Sequence, residues 1–368
     1  MSGKRLDAVE LLTNALGIYS PTTKERPLAQ FLCREMKALG YSSVRIDAGG
    51  NALGEIGGGG IRVMLCGHMD TVPGRLPVKT SEGYVYGRGA SDAKSALCAM
   101  LVAGAKAADS GARITFAGAT REEGDGLGIQ TLIKNPKPVD FAVFGEPSGA
   151  HRVTIGYRGR VGAHVSLRTP GGHAGSPWAH VNALDEFYSL LANLRTYEAE
   201  TTVSGDHFRS LSVSPTLVKA GSFHNVVPGT CDATFDVRVP PGMSCAGVRE
   251  SLERILQPVE AKNPGTKHWF DEATEPYEAD PGSVLVRAFQ RAILVKARVR
   301  PMLVKKTGTG DMNTFAAARQ TQCVTYGPGD ARLSHTPGEK VSLVDYSSSV
   351  EILAEAVRQV SALKRKHS

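Results

Sequence analysis

The sequence predicts an α/β protein in which a small β-α-β-β-α-β domain is inserted into a larger domain built on a mixed sheet. Strand-like runs alternate with helical patterns up to about residue 157, as expected for an α/β sheet. The pattern then changes to strict two-residue alternation, and the α/β pattern resumes near residue 271. A chain of 368 residues also exceeds what one hydrophobic core usually serves. We therefore predict an outer domain of 1–157 and 271–368 and an inserted domain of 158–270.

The outer domain begins with a helix, because Leu28, Leu32 and Met36 recur at helical spacing and Gly40 follows as a terminator. The largely apolar run Ile61–Cys66 is typical of a buried strand. Further strands are predicted at Val44–Asp47, Ala52–Ile56, Arg113–Ala119 and Phe141–Phe144, and further helices at Asp92–Asp109 and Gly126–Ile133.

The inserted domain shows the clearest strand pattern, since Val161–Leu167 and Ala233–Val239 place apolar residues at every second position. Its other predicted elements are helices at Val181–Leu194 and Val248–Leu256 and strands at Leu211–Val218 and His268–Phe270. This order is that of a ferredoxin-like domain. The outer domain then resumes with helices at Val284–Ala297, Met312–Arg319 and Tyr346–Leu363 and strands at Met302–Val304 and Cys323–Tyr326.

Composition and charge narrow the class of protein. The chain is 41% hydrophobic and 21% charged, which is typical of a globular protein in water. No apolar run approaches the length of a membrane span, and the N-terminus lacks the apolar region of a signal peptide. We therefore expect a cytoplasmic protein with no membrane or nucleic-acid partner. The net charge of +7 and the pI of about 9.1 suit an acidic partner or substrate, although a generally basic surface explains them equally simply.

The first chemical signal lies around His68. The strand Ile61–Cys66 breaks at Gly67, so His68 and Asp70 fall at the carboxyl end of a buried strand, the edge at which α/β sheets bind ligands. Imidazole is a common metal ligand, and a carboxylate that accepts its second N–H fixes its tautomer. The alternative is an ordinary loop histidine beside a turn aspartate.

Acidic and histidine side chains also occupy four other loops that follow predicted strands or open a helix: Asp92, Glu122 with Glu123, Glu146, and His335. Taken singly, each has a simple explanation, because an aspartate suits a helix N-cap and adjacent acids in a loop are usually solvated. Taken together, they would converge on one sheet edge. Nitrogen and oxygen ligands without thiolate favour Zn²⁺, Co²⁺ or Mn²⁺ in a hydrolytic site. A carboxylate that bridges two ions about 3.5–4 Å apart is the usual co-catalytic design.

The motifs in these loops give the sequence a clear family resemblance. It resembles the di-zinc amidohydrolase and peptidase family of acetylornithine deacetylase, succinyl-diaminopimelate desuccinylase and carboxypeptidase G. The matching segments run in family order from about residue 66 to 339 and read GHMDTVPG, GRGASDAKSAL, REEG, GEPS, GGHAGSP, NVVPG…DVR, TGTGDMN and SHTPGE. The resemblance implies a di-zinc peptidase-like catalytic domain with an inserted dimerisation and lid domain.

The resemblance also implies roles for single residues. His68, Asp92 and Glu146 match the ligands of one metal ion, and Asp92, Glu123 and His335 match those of a second ion, with Asp92 bridging. The two ions per subunit are expected to be Zn²⁺, with Co²⁺ as the alternative. Glu122 matches the general base, and Asp70 matches the acid that orients His68. Ala93 stands where an acid is common in the family, but this position is not a ligand position.

Residues of the inserted domain and of a later loop match positions that act on the substrate. His173 resembles the histidine that donates a hydrogen bond to the developing oxyanion from the partner subunit of a homodimer. Asn225 and Arg238 match substrate-binding positions, and a guanidinium suits a substrate carboxylate. Gly308 and Thr309 lie in a loop whose backbone N–H groups are suited to the other side of that carboxylate. The simple alternatives are a turn histidine and an exposed sheet arginine.

The substrate has three interpretations. The segment TIGYRGR together with TGTGDMN resembles a branch of the family that releases lysine or ornithine from the C-terminal glutamate of LysW, a small acidic amino-group carrier protein. The second interpretation is a deacetylase of N-acetylornithine or N-acetyl-lysine. The third is a carrier-binding protein without activity, which the intact Glu122 and ligand positions disfavour. Arg158, Arg160, Lys305 and Lys306 are the cations expected to steer an acidic carrier, with ordinary solvated charge as the alternative.

Overall fold

The structure is a computed structural model that describes residues 7–365. The chain forms two compact units. Unit 1 comprises the described residues up to Gly156, Ala279–Val304 and those from Gly310 onward. Unit 2 comprises Tyr157–Glu278 and the short segment Lys305–Thr309. Unit 2 thus contains residues 158–270 and also takes in residues on the C-terminal side that we placed in the outer domain.

The first part of unit 1 contains helices α1 (Ala8–Gly17), α2 (Arg26–Ala38), α3 (Lys94–Lys106) and α4 (Leu127–Ile133), and strands β1 (Ser42–Ile46), β2 (Ala52–Gly57), β3 (Ile61–His68), β4 (Lys79–Ser81), β5 (Tyr84–Tyr86), β6 (Ala112–Ala119), β7 (Phe141–Gly145) and β8 (Arg152–Tyr157). Unit 2 contains strands β9 (Gly159–Arg168), β10 (Gly172–His173), β11 (Ser212–Ala220), β12 (Val226–Val227), β13 (Thr230–Val239), β14 (Lys267–Phe270) and β15 (Tyr277–Glu278), and helices α5 (Ala183–Glu200) and α6 (Cys245–Lys262). The last part contains α7 (Val284–Ala297), β16 (Met302–Lys306), α8 (Asp311–Arg319), β17 (Gln322–Thr325), β18 (Lys340–Ser342) and α9 (Leu343–Arg365).

The main sheet of unit 1 runs in the order β1-β2-β6-β3-β7-β17-β8. The four central strands β6, β3, β7 and β17 are parallel to one another, whereas β1, β2 and β8 are antiparallel to their neighbours. This mixed sheet confirms the predicted fold class. Because the central strands share one direction, their carboxyl ends all lie at the same edge, and the loops that follow them emerge there.

Helix α3 covers the middle of this sheet. Its residues from Lys94 to Gly104 are all buried, as expected for a helix enclosed by β3, α1 and α9. A Cβ atom at Gly67 would lie 3.3 Å from the Cα of Leu97. The small residue therefore allows α3 to approach the end of β3 closely.

Unit 2 has the predicted β-α-β-β-α-β order, and its sheet is ordered β11-β13-β9-β14. The alternating residues of β9 and β13 point their apolar side chains to one face, where they pack against α5 and α6. Its core is formed by Val161, Ala163, Val165, Leu167, Phe187, Leu190, Phe235, Val237, Val248 and Leu252 with their neighbours. A two-stranded sheet of β10 and β12 lies apart from this four-stranded sheet.

The structure departs from the sequence prediction mainly in short elements. The strands β4, β5 and β18 form a separate three-stranded sheet that was not predicted, since three residues give no readable periodicity. Helix α1 also lies outside the predicted elements, although Asp7 caps it by accepting from the N–H of Val9. The predicted helix start at Asp92 is wrong: α3 begins at Lys94, and Asp92 lies in the preceding turn.

Among residues 7–365, no helix combines the length and the apolar character that a membrane span requires.

We expect Phe235→Ala to lower the free energy of unfolding by about 3–5 kcal/mol, because this ring is 1% exposed and stacks on Phe187. Urea unfolding followed by circular dichroism measures the loss. Leu217→Ala is the matched control, because Leu217 on β11 is 68% exposed and its truncation should cost less than about 0.5 kcal/mol. Equal losses in the two variants would contradict the assigned core.

Candidate metal centre

The parallel strands bring most of the predicted ligands to one edge of unit 1. His68 is the last residue of β3, Glu146 directly follows β7, and Glu122 and Glu123 follow β6. His335 is in the loop between β17 and β18. Asp92 is expected at the same sheet edge, but it lies in the loop after β5, which belongs to the three-stranded sheet rather than to the main sheet.

The first group of possible ligands surrounds His68. Its Nε2 lies 3.3 Å from Oδ1 of Asp92 and 3.8 Å from Oε1 of Glu146. Glu122 also belongs to this group, since His68, Glu122 and Glu146 offer ligand atoms within 4.8 Å of one another. His68 is buried, whereas the two glutamates are partly accessible. Geometry alone thus leaves both Asp92 and Glu122 as possible third ligands.

The second group consists of Asp92, Glu123 and His335, with ligand atoms within 4.8 Å of one another. Nε2 of His335 lies 2.8 Å from Oε1 of Glu123 and 3.6 Å from Oδ2 of Asp92. Asp92 therefore directs one carboxylate oxygen towards His68 and the other towards His335. This is the arrangement that a bridging carboxylate requires.

The donor set and its spacing fit divalent metal ions. Ligands at about 2.1 Å from a tetrahedral ion lie about 3.4 Å from one another, and the closest contacts here span 2.8–3.8 Å. Imidazole and carboxylate without thiolate suit Zn²⁺ or Co²⁺. Five of the six candidate residues lie at or after the carboxyl ends of parallel strands, and Asp92 joins them from the loop after β5, so the residues present are compatible with such ions.

Asp70 contacts both His68 and the acidic pair. The oxygen closest to Nδ1 of His68 is the Asp70 backbone carbonyl at 2.9 Å, whereas the carboxylate Oδ1 is 3.5 Å away. The carboxylate instead accepts the backbone N–H groups of Glu122 and Glu123, each at 3.1 Å, and the hydroxyl of Thr22 at 2.9 Å. Burial opposes its ionisation, but the adjacent His68 ring, the Thr22 hydroxyl and the Glu123 N–H outweigh burial and lower the pKa of Asp70.

Burial and neighbouring charges shift the pKa values of the acids at this edge in opposite directions. Burial, followed by the nearby charge of Glu146, raises the pKa of Glu122 well above that of a free glutamate. Burial opposes ionisation of Asp92 too, but His68 outweighs it and lowers the pKa of this carboxylate. Burial also raises the pKa of Asp311, at the start of α8, to about 7. Burial thus makes Glu122 and Asp311 weaker acids than free carboxylic acids, whereas His68 makes Asp92 a stronger one.

In unit 2, the structure brings His173 and Asn225 together. His173 in β10 pairs with Val226 in β12, and the N–H of Ala174 donates to the carbonyl of Asn225 at 3.0 Å. The His173 side chain is exposed, and its Nδ1 accepts the N–H of Gly175 at 2.9 Å. Since Nδ1 is an acceptor, the proton of the neutral ring is on Nε2, which is the tautomer that an oxyanion donor needs.

Arg238 lies in the four-stranded sheet of unit 2 rather than beside His173. It stands opposite Arg160 in the register of β13 and β9, and Asp236 contacts both guanidinium groups. Burial opposes ionisation of Asp236, but hydrogen bonds from Arg160 and Arg238 outweigh it and lower its pKa. This shared carboxylate allows two arginines to remain adjacent.

Three of the cations expected to steer an acidic partner are instead held within unit 2, and Arg160 is held by Asp236. Arg158 is 8% exposed and donates to the backbone carbonyls of Thr307 and Ser210. It thereby fixes the segment that continues into Gly308 and Thr309, in the loop between β16 and α8. Lys305 pairs with Glu278 at 2.8 Å. The alternative of an ordinary solvated charge is therefore wrong for Arg158, because its side chain is buried.

A cavity of about 240 Å³ in unit 1 lies at the opposite edge, where the parallel strands begin. Its lining contains the basic side chains Arg45, Arg62, Arg113, Lys137 and Arg319 and one carboxylate, Glu55. Such a lining repels a divalent cation, so the carboxyl edge is the better metal centre.

A family model for peptidase family M20/M25/M40 matches residues 64–359, which include every candidate ligand of the metal centre. The chain belongs to the M20/M25/M40 peptidase family. This confirms the predicted family and the predicted class of enzyme, a metal-dependent hydrolase of amide bonds.

Relatives within the M20 family cover nearly the whole chain. A protein of Pyrobaculum aerophilum is 34% identical, with 98% of this chain and 100% of that protein aligned. A [LysW]-lysine hydrolase of Deinococcus radiodurans is 33% identical, with 96% and 97% aligned. The fold is similar to that of aminopeptidase PepT from Bacillus cereus, with a TM-score of 0.81 at 17% identity over 96% of this chain and 98% of that one. It is also similar to a dinuclear metal-binding M20 peptidase from Bacillus subtilis, with a TM-score of 0.69 at 13% identity over 95% and 96%.

The sequence alone predicts no role for two further acids, Asp311 near the metal centre and Glu339 beside the Asp92 loop. Asp311 and Glu339 lie within the matching segments TGTGDMN and SHTPGE, yet neither has a periodic or spacing signal. Asp311 begins α8 close to the Glu122 group, and the N-terminus of a helix favours a negative charge. A weak signal was available for Asp311, namely an acid directly after a glycine-rich loop.

Substitution of Glu122 and Asp92 distinguishes a ligand from a base in this centre. We expect Glu122→Gln to retain two metal equivalents, because the predicted ligand set does not include it. We expect Asp92→Ala to lose metal from both positions, because its two oxygens face both histidines. Elemental analysis of purified protein measures the content. Loss of one equivalent in Glu122→Gln would make Glu122 a ligand, and a full pair in Asp92→Ala would exclude the bridge.

Proposed function

We propose that this M20 hydrolase cleaves the amide that links the α-amino group of lysine or ornithine to the C-terminal glutamate of an acidic carrier protein, LysW. The products are the free amino acid and the free carrier. The observation that carries the proposal is the pair of ligand groups that share Asp92, with Glu122 beside them. The substrate class is supported by the names of relatives that align over nearly the full length.

The metal centre is proposed to hold two divalent ions, Zn²⁺ or Co²⁺. His68, Asp92 and Glu146 are the proposed ligands of one ion, and Asp92, Glu123 and His335 those of the other. When bound, the ions supply Lewis-acid polarisation of the scissile carbonyl and make a water molecule nucleophilic near neutral pH.

Glu122 is the proposed general base and acid. Burial and the charge of Glu146 raise its pKa, which brings its proton affinity closer to that needed near neutral pH. Its backbone N–H donates to the carboxylate of Asp70, which fixes the backbone position from which the Glu122 side chain extends. We propose that Glu122 takes a proton from the attacking water and delivers it to the leaving α-amine.

His173 is the proposed donor to the tetrahedral oxyanion. Its exposed ring presents an Nε2–H group, because Nδ1 accepts from Gly175. We propose that it acts in the site of the partner subunit of a homodimer, in which unit 2 is the dimerisation and lid domain. The exposed side chain of the nearby Trp178, at 85%, is compatible with coverage by such a partner.

Arg238, Asn225, Gly308 and Thr309 are the proposed substrate-binding residues. Arg238 is held by Asp236 through both carboxylate oxygens. We propose that its remaining N–H groups bind the α-carboxylate of the released amino acid, since a guanidinium donates in a planar fork. Arg158 donates to the carbonyl of Thr307, and this hydrogen bond restrains the loop that contains Gly308 and Thr309.

A panel of four substrates tests the function directly. Carrier-linked lysine, carrier-linked ornithine, N-acetyl-lysine and N-acetylornithine are incubated with the metal-loaded enzyme, and amino-acid release is measured. We expect hydrolysis of at least one carrier-linked substrate with kcat/KM above that of its acetyl counterpart. For the carrier-linked substrates, but not for the acetylated amino acids, kcat/KM should fall steeply as salt rises. The reason is that a basic enzyme attracts an acidic partner over a Debye length of about 10 Å at 0.1 M.

Glu122→Gln is the inactive control in this panel. Faster turnover of the acetylated amino acids would replace the carrier by the small-molecule deacetylase. Absence of turnover for all four substrates, with metal bound, would exclude both.

His173→Ala should lower kcat about 10²–10³-fold with little change in substrate affinity, because the donor acts on the transition state. Hybrids of His173→Ala and Glu122→Gln subunits test the proposed transfer between subunits. Recovery of activity on mixing would support it, because one site of each hybrid would contain both intact residues. Mass spectrometry verifies that hybrids form, and verified hybrids without activity would assign His173 to its own subunit.

A further inference from the structure

Glu339 is a buried carboxylate that the proposed chemistry does not use. Its side chain is 1% exposed, and it directly precedes strand β18. It is also close in sequence to His335, so one short segment carries both a candidate ligand and this acid. A buried carboxylate needs strong partners to remain stable, and Glu339 has four.

One carboxylate oxygen of Glu339 holds the loop that presents Asp92. Its Oε1 accepts the backbone N–H groups of Gly89, Ser91 and Asp92, each at 3.0 Å. Backbone amides that converge on one point form a concave anion site. Because the third donor is the amide of Asp92, the contact fixes the backbone from which the candidate bridging side chain projects.

The other carboxylate oxygen is held by Arg88. Nη1 of Arg88 lies 2.8 Å from Oε2, and the same nitrogen donates to the carbonyl of Thr336 at 3.3 Å. The backbone of Glu339 is anchored as well, since Gly87 donates its N–H to the Glu339 carbonyl. Both ends of the residue are thus tied to the segment before Asp92.

The loop depends on these contacts because it is tight and irregular. Gly89 has a φ of 90°, and a Cβ there would lie 2.9 Å from the side chain of Lys94. Asp92 precedes α3 without acting as its N-cap, so no helix hydrogen bond fixes its position. Without Glu339, the amides of Gly89, Ser91 and Asp92 would lack this common acceptor in a buried region.

We propose that Glu339 is a positioning residue for the metal centre. It holds Asp92 where its two oxygens face His68 and His335, and it couples that loop to the segment that carries His335. The inference rests on the proposed function in one respect, namely that Asp92 bridges two ions. Residues that orient ligands from behind typically change metal affinity 10–100-fold when substituted.

Metal affinity of the metal-free protein tests the role without any substrate. Glu339→Gln retains the side-chain length but can place an amide N–H₂ against Arg88, and Glu339→Asp retains the charge but is too short to reach the three amides. We expect both to bind at least one of two Zn²⁺ equivalents about 10–100-fold more weakly by calorimetry. Glu351→Gln is the matched control, because this exposed acid pairs with Lys106 far from the loop; its Zn²⁺ affinity should be unchanged.

Each outcome decides the role of Glu339. Unchanged affinity in both variants would overturn the proposal, and a loss in Glu339→Gln alone would assign the effect to charge and also overturn it. Thermal unfolding of the metal-free proteins verifies that they fold. If Glu339→Gln does not fold, Glu339→Asp is measured alone, and unchanged Zn²⁺ affinity there would equally overturn the proposal.

The same measurements separate this inference from the proposed function. A wild-type protein that binds two ions but cleaves none of the four substrates would end the proposed function and leave the positioning role intact. An active wild-type protein whose Glu339 variants bind metal normally would support the proposed function and overturn the positioning role.

Discussion

Repulsion between carboxylates crowded at one sheet edge is the constraint on which the rest of the site depends. Asp92, Glu122, Glu123, Glu146 and Asp311 all lie there. Two unit charges 4 Å apart repel by about 4 kcal/mol at an effective dielectric constant of 20. Burial is the larger cause of the raised pKa values of Glu122 and Asp311, and the nearby carboxylates Glu146 and Asp70 respectively add to it. Such an edge is stable when divalent cations, histidines and backbone N–H groups oppose the negative charge, and the fold supplies the last two.

The acids that are not proposed as metal ligands also help to stabilise this sheet edge. Asp70 accepts the amides of Glu122 and Glu123, and Glu339 accepts the amide of Asp92. In both cases a carboxylate binds the backbone of a ligand-bearing loop rather than a ligand side chain. The loops are thus fixed by charge-assisted hydrogen bonds, which are stronger than those between neutral groups.

The sequence predicts the parts of this protein that follow simple periodicity or the geometry of parallel strands. The strand before His68, the alternating strands of unit 2 and the order of its elements could be predicted in this way. Three-residue strands such as β5 could not, because they are shorter than any pattern. Nor could the roles of Arg158 and Glu339, whose partners lie far away in sequence and are fixed only by tertiary packing.

The order of strands in the main sheet has a consequence for synthesis on the ribosome. Strand β17 lies between β7 and β8, yet it is translated only after the whole segment Tyr157–Glu278. The N–H of Ala279 donates to the carbonyl of Ile155 at 2.7 Å, so the chain returns to unit 1 beside the point at which it left. A nascent chain can therefore complete the core of unit 2 while β7 still has an open edge. Until Thr325 leaves the exit tunnel, that exposed apolar edge is a natural target for chaperones and for misassembly.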